Sequence, residues 1–166
     1  MPLHKICDYT LPRSQVYVAA IFLGIVAGVA NSFLTIDLSL KPILGVWILA
    51  SLLLVIILHE AVHGAAAALL GHKPLFGLKP PLVYMTFADK IPRNHFILIT
   101  LAPFVLLDIL FILMFARGVH KLFWDLCLIS NTIGAVGDIW IAITLLHMPR
   151  GSFILDTKSG IEVWAD

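Results

Sequence analysis

Two histidines and a glutamate inside an apolar stretch have the residue types and the spacing of a metal site. His59, Glu60 and His63 form an H-E-x-x-H motif within the apolar segment 43–70. On a helix, residues four apart share a face, so both imidazoles would point to one position where a zinc ion could bind. Glu60 would stand beside that position and could take a proton from a water molecule at the metal. Ionisable groups this close together on a membrane helix are costly without a function, which disfavours an accidental grouping.

The composition of the chain is that of a membrane protein. Of its 166 residues, 60% are hydrophobic and 13% are charged, and the mean hydropathy is +1.00. Soluble domains carry about 25% charged residues. The net charge of +1 gives no indication of a nucleic-acid partner, and we expect none. The two cysteines, Cys7 and Cys127, predict neither a disulfide framework nor a cysteine metal site.

Four apolar segments predict an all-α membrane protein with four transmembrane helices in a single domain, 1–166. The segments cover about residues 15–34, 43–70, 95–116 and 122–147. Between the second and the third, residues 72–94 form the longest polar interruption, and residues 82–87 within it have a strand-like composition. We expect a short extended segment or hairpin there, either as an edge for a peptide or as a plain connector. Residues 1–14 and 148–166 are interpreted as polar tails.

Lysine and arginine are distributed unevenly over the connecting segments. If the amino terminus is cytoplasmic, the inner segments hold eight of these residues and the outer loops hold three. This excess predicts a multi-pass protein of the cell membrane with both termini in the cytoplasm. The expected partners are then the lipid bilayer and a membrane protein or peptide substrate, and no residue pattern indicates a particular oligomeric state.

A catalytic zinc usually has three protein ligands, and the motif supplies two of them. In the predicted topology, Asp138 of the fourth span and Asp108 of the third both reach the depth of the histidines. Gly134 and Gly137 would let the fourth helix approach the second closely, and Asn131 lies two turns before the aspartate on the same face. Asp138 is therefore the preferred third ligand, and Asp108 is the runner-up.

The order of these motifs resembles that of a known family. The set comprises HEAVHG at 59–64, Phe76-Gly77, Leu101-Ala102-Pro103, Asn131-x-x-Gly134-x-x-Gly137-Asp138, Asp156 and Gly160-Ile161. Over about residues 50–165, the chain resembles the small multi-pass zincin peptidases of prokaryotes, a family related to the site-2 intramembrane metalloproteases.

The resemblance implies a role for each polar residue of the motif. His59 and His63 would be zinc ligands, Glu60 the catalytic base and Asp138 the third ligand. Site-2 proteases commonly carry their aspartate in a Leu-Asp-Gly setting, whereas this chain has Gly-Asp-Ile around Asp138 and Leu-Asp-Ile around Asp108. The departure from the pattern keeps Asp108 open as a ligand.

The function that follows is a zinc-dependent metalloendopeptidase that hydrolyses peptide bonds of membrane-embedded or membrane-proximal substrates. The amide of Asn131 could stabilise the developing oxyanion, or it could make a hydrogen bond between helices. The alternative function is a zinc-binding scaffold that binds partner helices without cutting them. A di-iron oxygenase would need a second histidine cluster, and a transporter would be expected to show internal repeats; the sequence has neither.

Overall fold

The computed structural model describes residues 3–35, 41–79, 82–157 and 160–166. The elements in chain order are β1 (His4–Tyr9), α1 (Arg13–Thr35), α2 (Lys41–Leu69), β2 (Pro74–Lys79), β3 (Leu82–Phe87), β4 (Ile91–Pro92), α3 (Arg93–Ala116), α4 (Lys121–Gly134), α5 (Val136–Leu146), β5 (Phe153–Thr157) and β6 (Gly160–Ala165). The core of the loop predicted between the first two spans, and the Pro80-Pro81 pair beside the predicted strand, lie outside the described residues.

The helices lie where spans were predicted, but four spans are not confirmed. Two helices of the described chain are long and apolar enough to cross a membrane, Gly45–Leu69 and Arg93–Ala116. Helices α4 and α5 meet at a 41° bend and add a third crossing only if the pair forms one span. In α1, the residues whose side chains are described form a shorter apolar segment, Arg13–Ala27, which is not counted among these helices. The protein is thus helical, with two or three helices that could span a membrane.

A four-stranded sheet shows that the all-α prediction was wrong. Its strand order is β1-β6-β5-β4, and neighbouring strands are antiparallel. The residues interpreted as polar tails form three of these strands, β1, β5 and β6. The signal that was missed is the alternation in β6, where Ile161 and Val163 are buried and Glu162 between them bonds to Lys5.

The hairpin predicted between the second and third spans is confirmed. Strands β2 and β3 pair in antiparallel register from Pro74 opposite Phe87 to Lys79 opposite Leu82. The hairpin packs directly on α2. The two elements are so close that a Cβ atom at Gly64 would collide with the ring of Phe76. The glycine that follows the motif therefore lets the hairpin lie against the helix next to the metal-site residues.

Two apolar clusters hold the helices and the sheet together, and the motif lies between them on α2. The first joins the end of α2 to β3, β4, α3, α5 and the sheet, and its buried members are Ala67, Phe87, Ile91, Phe96, Ile99, Leu145, Ile154, Ile161 and Val163. The second lies among α2, α3 and α4, and its buried members are Val55, Leu107, Phe111 and Cys127. Packing therefore fixes α2 on both sides of the metal-site histidines.

Helix α2 buries a narrow stripe of residues spaced four apart. The stripe comprises Ser51, Val55, His59, His63 and Ala67. Such spacing follows one face of a helix, and this face contacts the rest of the protein. Large apolar side chains on the other faces, including Leu53 and Ile57, are more than half exposed. An exposed apolar surface of this kind suits contact with lipid, while the polar residues face inward.

Arg93 fixes the end of α5 to the start of α3. Its buried guanidinium donates from Nε to the carbonyl oxygen of Leu145 at 2.6 Å and from Nη2 to that of Leu146 at 2.8 Å. Carbonyls in the last turn of a helix lack helical donors and attract a cation. Its bonds hold α5 and with it Asp138, which lies in the first turn of that helix.

Candidate metal centre

Three side chains from α2 and α5 converge on one point. Nε2 of His59 lies 2.9 Å from Oδ2 of Asp138, and Nε2 of His63 lies 3.5 Å from the same oxygen. The potential ligand atoms of these three residues all lie within 4.8 Å of one another. In the part of the chain that the structure describes, no other group of three His, Cys, Asp or Glu side chains meets this condition. His59, His63 and Asp138 are therefore positioned to bind a metal.

Each histidine uses its other ring nitrogen for a hydrogen bond. Nδ1 of His59 lies 3.0 Å from Oδ1 of Asn131, and Nδ1 of His63 lies 2.8 Å from the carbonyl oxygen of Ile99. Because both partners are acceptors, each Nδ1 carries the hydrogen, which leaves each Nε2 as the ring atom that can bind a metal. Two such imidazoles and one carboxylate are a donor set that fits zinc.

Pro103 explains why the carbonyl of Ile99 is free to accept this bond. In a regular α-helix, the N–H of residue 103 would donate to the carbonyl of residue 99. Proline has no N–H, and Pro103 lies inside α3. The Ile99 oxygen therefore lacks its usual donor, and the imidazole of His63 takes that place. A carbonyl left without a partner among apolar helices is costly, so the two groups satisfy each other.

Asp108 holds Asn131 in place. Nδ2 of Asn131 donates to Oδ1 of Asp108 at 2.8 Å and to the carbonyl oxygen of Pro103 at 3.1 Å. The hydroxyl of Thr132 donates to the other carboxylate oxygen at 3.0 Å. These bonds turn the amide oxygen of Asn131 towards His59. The runner-up ligand Asp108 thus lies outside the group of converging atoms and reaches the site through Asn131.

The side chain of Asn131 forms hydrogen bonds that link neighbouring helices. Its side chain is fully buried, both of its N–H bonds point to acceptors on α3, and its oxygen points to His59. The described contacts leave no N–H of this amide for an oxyanion, which needs a donor aimed at the reacting atom. A catalytic role for Asn131 stays a prediction without geometric support.

The two glycines of the fourth predicted span do not approach α2. A Cβ atom at Gly134 would meet nothing within 4 Å, and one at Gly137 would lie 3.8 Å from Leu11. At these two glycines, the α4–α5 pair therefore makes no close contact with α2. Gly134 instead ends α4 just before the 41° bend. Asn131 before the bend and Asp138 after it contact the two nitrogens of the same histidine ring.

Two cavities open on the cluster from different sides. The larger, of about 500 Å³, lies between α2 and the α4–α5 pair and has apolar walls that include Leu52, Ile56 and Ile133. The smaller, of about 180 Å³, faces the sheet and is bordered by α2, β3, α3, α5, β5 and β6. Glu60 lines both cavities.

The hairpin reaches the motif through the backbone of β3. The backbone N–H of Met85 donates a hydrogen bond to the carboxylate of Glu60. This N–H therefore points away from β2, and the outer edge of β3 faces Glu60 at this residue. The residue expected to act as a base thus contacts the strand expected to offer an edge.

A family model described as a putative zincin peptidase matches residues 52–153. The chain belongs to this family. Membership in this family indicates a metallopeptidase. It also implies that the metal is zinc. A relative from Pyrococcus woesei, an uncharacterized 24.7 kDa protein in gap 5'region, is 28% identical over 156 residues, which cover 90% of this chain and 69% of the relative. No solved structure matches the chain.

Replacement of Asp138 and replacement of Asp108 should have different effects on zinc binding. Asp138→Ala removes a ligand atom, so the purified protein should no longer hold one zinc per chain. Asp108→Ala removes only the support of Asn131 and should weaken zinc affinity by about 10–100-fold while leaving a site that saturates. Metal analysis and a chelator competition titration measure both, with the exposed Asp89→Ala as control. Full loss of zinc in Asp108→Ala with retention in Asp138→Ala would overturn the ligand assignment.

Pro103 should tune zinc affinity through the carbonyl of Ile99. Pro103→Ala restores an N–H that competes with His63 for the Ile99 carbonyl, so zinc affinity should fall by up to about tenfold. The chelator titration reports the change, and Pro149→Ala, in a turn after α5, serves as control. Equal zinc affinity in Pro103→Ala and the parent protein would show that the orientation of His63 does not need the freed carbonyl.

Proposed function

We propose that this protein is a zinc-dependent endopeptidase that cleaves peptide bonds of membrane-embedded or membrane-proximal substrates, in the manner of site-2 proteases. The observation that carries the proposal is the convergence of His59 and His63 of α2 with Asp138 of α5. Glu60 lies beside the two histidines on α2, whose outer faces suit lipid. A protein that only bound zinc would not need a carboxylate at the second position of the motif.

The residues of the site divide the chemistry among them. Zinc, when bound, supplies Lewis acidity that acidifies a water molecule and polarises a carbonyl group. Glu60 takes the proton of the attacking water and returns it to the leaving nitrogen. Asn131 and the Ile99 carbonyl keep the two imidazoles oriented throughout. The bond from Met85 to Glu60 positions the carboxylate before a substrate arrives.

The two cavities suggest separate routes for the substrate and for water. The apolar cleft between α2 and α4–α5 suits an apolar substrate segment that enters from the bilayer. The smaller cavity, with polar groups in its wall, suits the entry of water from the side of the sheet before a substrate binds. A helical substrate would hide its carbonyls, so it must be extended at the site, and the outer edge of β3 could hold it by backbone pairing.

The sheet supports a topology with both termini on the cytoplasmic side. Strand β1 precedes α1, β4 follows α2, and β5 and β6 follow α5, yet all four strands lie in one sheet. Each helix pair must therefore return to the side from which it started. Four crossings satisfy this condition, with residues 117–120 on the opposite side, and the excess of lysine and arginine favours the cytoplasm for the sheet.

Loss of the Glu60 carboxylate should abolish cleavage and leave the metal bound. Glu60→Gln keeps the shape of the side chain but cannot accept the proton, so the rate on a set of fluorogenic transmembrane peptides should fall about 10²–10⁴-fold. Zinc should remain at one per chain by metal analysis. The matched control is Glu162→Gln, which changes the only other glutamate of the sequence. Zinc binding without any Glu60-dependent cleavage would favour the non-proteolytic scaffold.

Labelling of single cysteines should report the proposed topology. In a background without Cys7 and Cys127, Val119→Cys should react with a membrane-impermeant maleimide in intact cells, because it is exposed between α3 and α4. Asp166→Cys should react only after the membrane is permeabilised. If both cysteines react from the same side of the membrane, the α4–α5 pair does not cross it, and the proposed topology is excluded.

A further inference from the structure

A carboxylate that the proposed reaction does not use lines the smaller cavity. Asp156 of β5 borders the same space, of about 180 Å³, as Glu60, His63 and Asp138. The sheet therefore brings a fourth ionisable side chain to the metal centre.

Asp156 occupies a position of the strand that faces the interior. Side chains alternate along a strand, so Asp156 shares a face with Ile154, which is fully buried. Its partner across the sheet is Ile161, which is buried and lines the same cavity. Packing alone would favour an apolar residue at such a position. A carboxylate that breaks the pattern of its strand beside a reactive centre indicates a functional role.

The partners of Asp156 in the described chain are neutral. The side chain of Thr86 and the backbone of Thr157 make hydrogen bonds to its carboxylate. Burial raises the pKa of Asp156, and these hydrogen bonds only partly oppose that shift. No lysine or arginine of the described residues lines the cavity. Among the described residues, Asp156 therefore has no cationic partner.

A metal ion at the centre would not supply a cationic partner for the Asp156 carboxylate. Asp156 is not among the residues whose ligand atoms converge, so a divalent ion at the histidines and Asp138 would not be bound by its carboxylate. The wall also contains Phe87 and Phe96, whose rings could contact a methylene chain. An aliphatic stem that ends in a cation matches both features, because lysine and arginine bury their stems and keep the charged end on a polar partner.

We propose that this cavity is a substrate subsite for a lysine or arginine side chain close to the scissile bond, with Asp156 as its recognition group. The inference rests on the proposed peptidase function and narrows its substrate class. A volume of about 180 Å³ is smaller than the roughly 300–1,000 Å³ of pockets for whole small molecules. It is therefore suited to one side chain of a longer chain held at the metal centre.

Binding to an inactive zinc-loaded protein tests the subsite without cleavage. The probe is a set of fluorescently labelled apolar peptides in which one residue is Lys, Met or Glu and its position is moved along the peptide. Fluorescence anisotropy with full-length Glu60→Gln in detergent should show about tenfold tighter binding of Lys than of Met at one position, and weaker binding of Glu. Absence of any preference for Lys at every position would overturn the subsite.

A second variant assigns the preference to its residue. Asp156→Asn, added to Glu60→Gln, keeps an oxygen that can accept the bond from Thr86 but removes the charge, so the Lys-over-Met ratio should fall to near one. Asp89→Asn makes the same chemical change at an exposed position outside the cavity and should leave the ratio unchanged. An unchanged ratio in Asp156→Asn would overturn the assignment.

The peptidase proposal and the subsite can fail separately. If the protein with intact Glu60 cleaves none of the peptides but the Asp156-dependent preference for Lys persists, the peptidase proposal fails and the subsite stands as a binding site. If Glu60-dependent cleavage occurs at equal efficiency for Lys and Met peptides, the subsite is overturned and the peptidase proposal stands.

Discussion

The hydrogen bond from His63 to the carbonyl oxygen of Ile99 is the constraint around which the metal centre is built. Among apolar helices an imidazole cannot rely on water, so each ring nitrogen needs a partner of its own. Pro103 provides one partner by removing the helical donor of that carbonyl. Asp108 provides the other indirectly, since it turns the amide oxygen of Asn131 towards the second histidine. The polar residues of three helices thus form one network.

This network is stable in an apolar bundle because it occupies the face of α2 that contacts protein. The buried stripe on that helix places apolar residues before and after the two histidines, and each end packs into a separate cluster. The remaining faces can contact lipid without exposing a charge. Arg93 completes the arrangement from a distance, because its bonds to the last turn of α5 fix the helix that carries Asp138.

The sheet gives the centre a second side that differs in chemistry from the first. Towards the bundle, the site opens on a cleft with mainly apolar walls; towards the sheet, it opens on a smaller cavity that carries Asp156. The hairpin borders the smaller cavity and contacts Glu60 through the backbone of Met85. A substrate that meets this site would therefore meet an apolar surface, a strand edge and a carboxylate in one place.

The sequence by itself determined the features that depend on local periodicity. The four-residue spacing of His59 and His63, the apolar helices and the strand at 82–87 all follow from the repeat of a helix or a strand within one segment. Only the tertiary structure decided which aspartate approaches the histidines, because the sequence predicts the same depth for Asp108 and Asp138 and their lateral neighbours depend on packing. It also decided the sheet, in which Lys5 bonds to Glu162 from the far end of the chain. Contacts between such distant residues are set by packing, which no local pattern encodes.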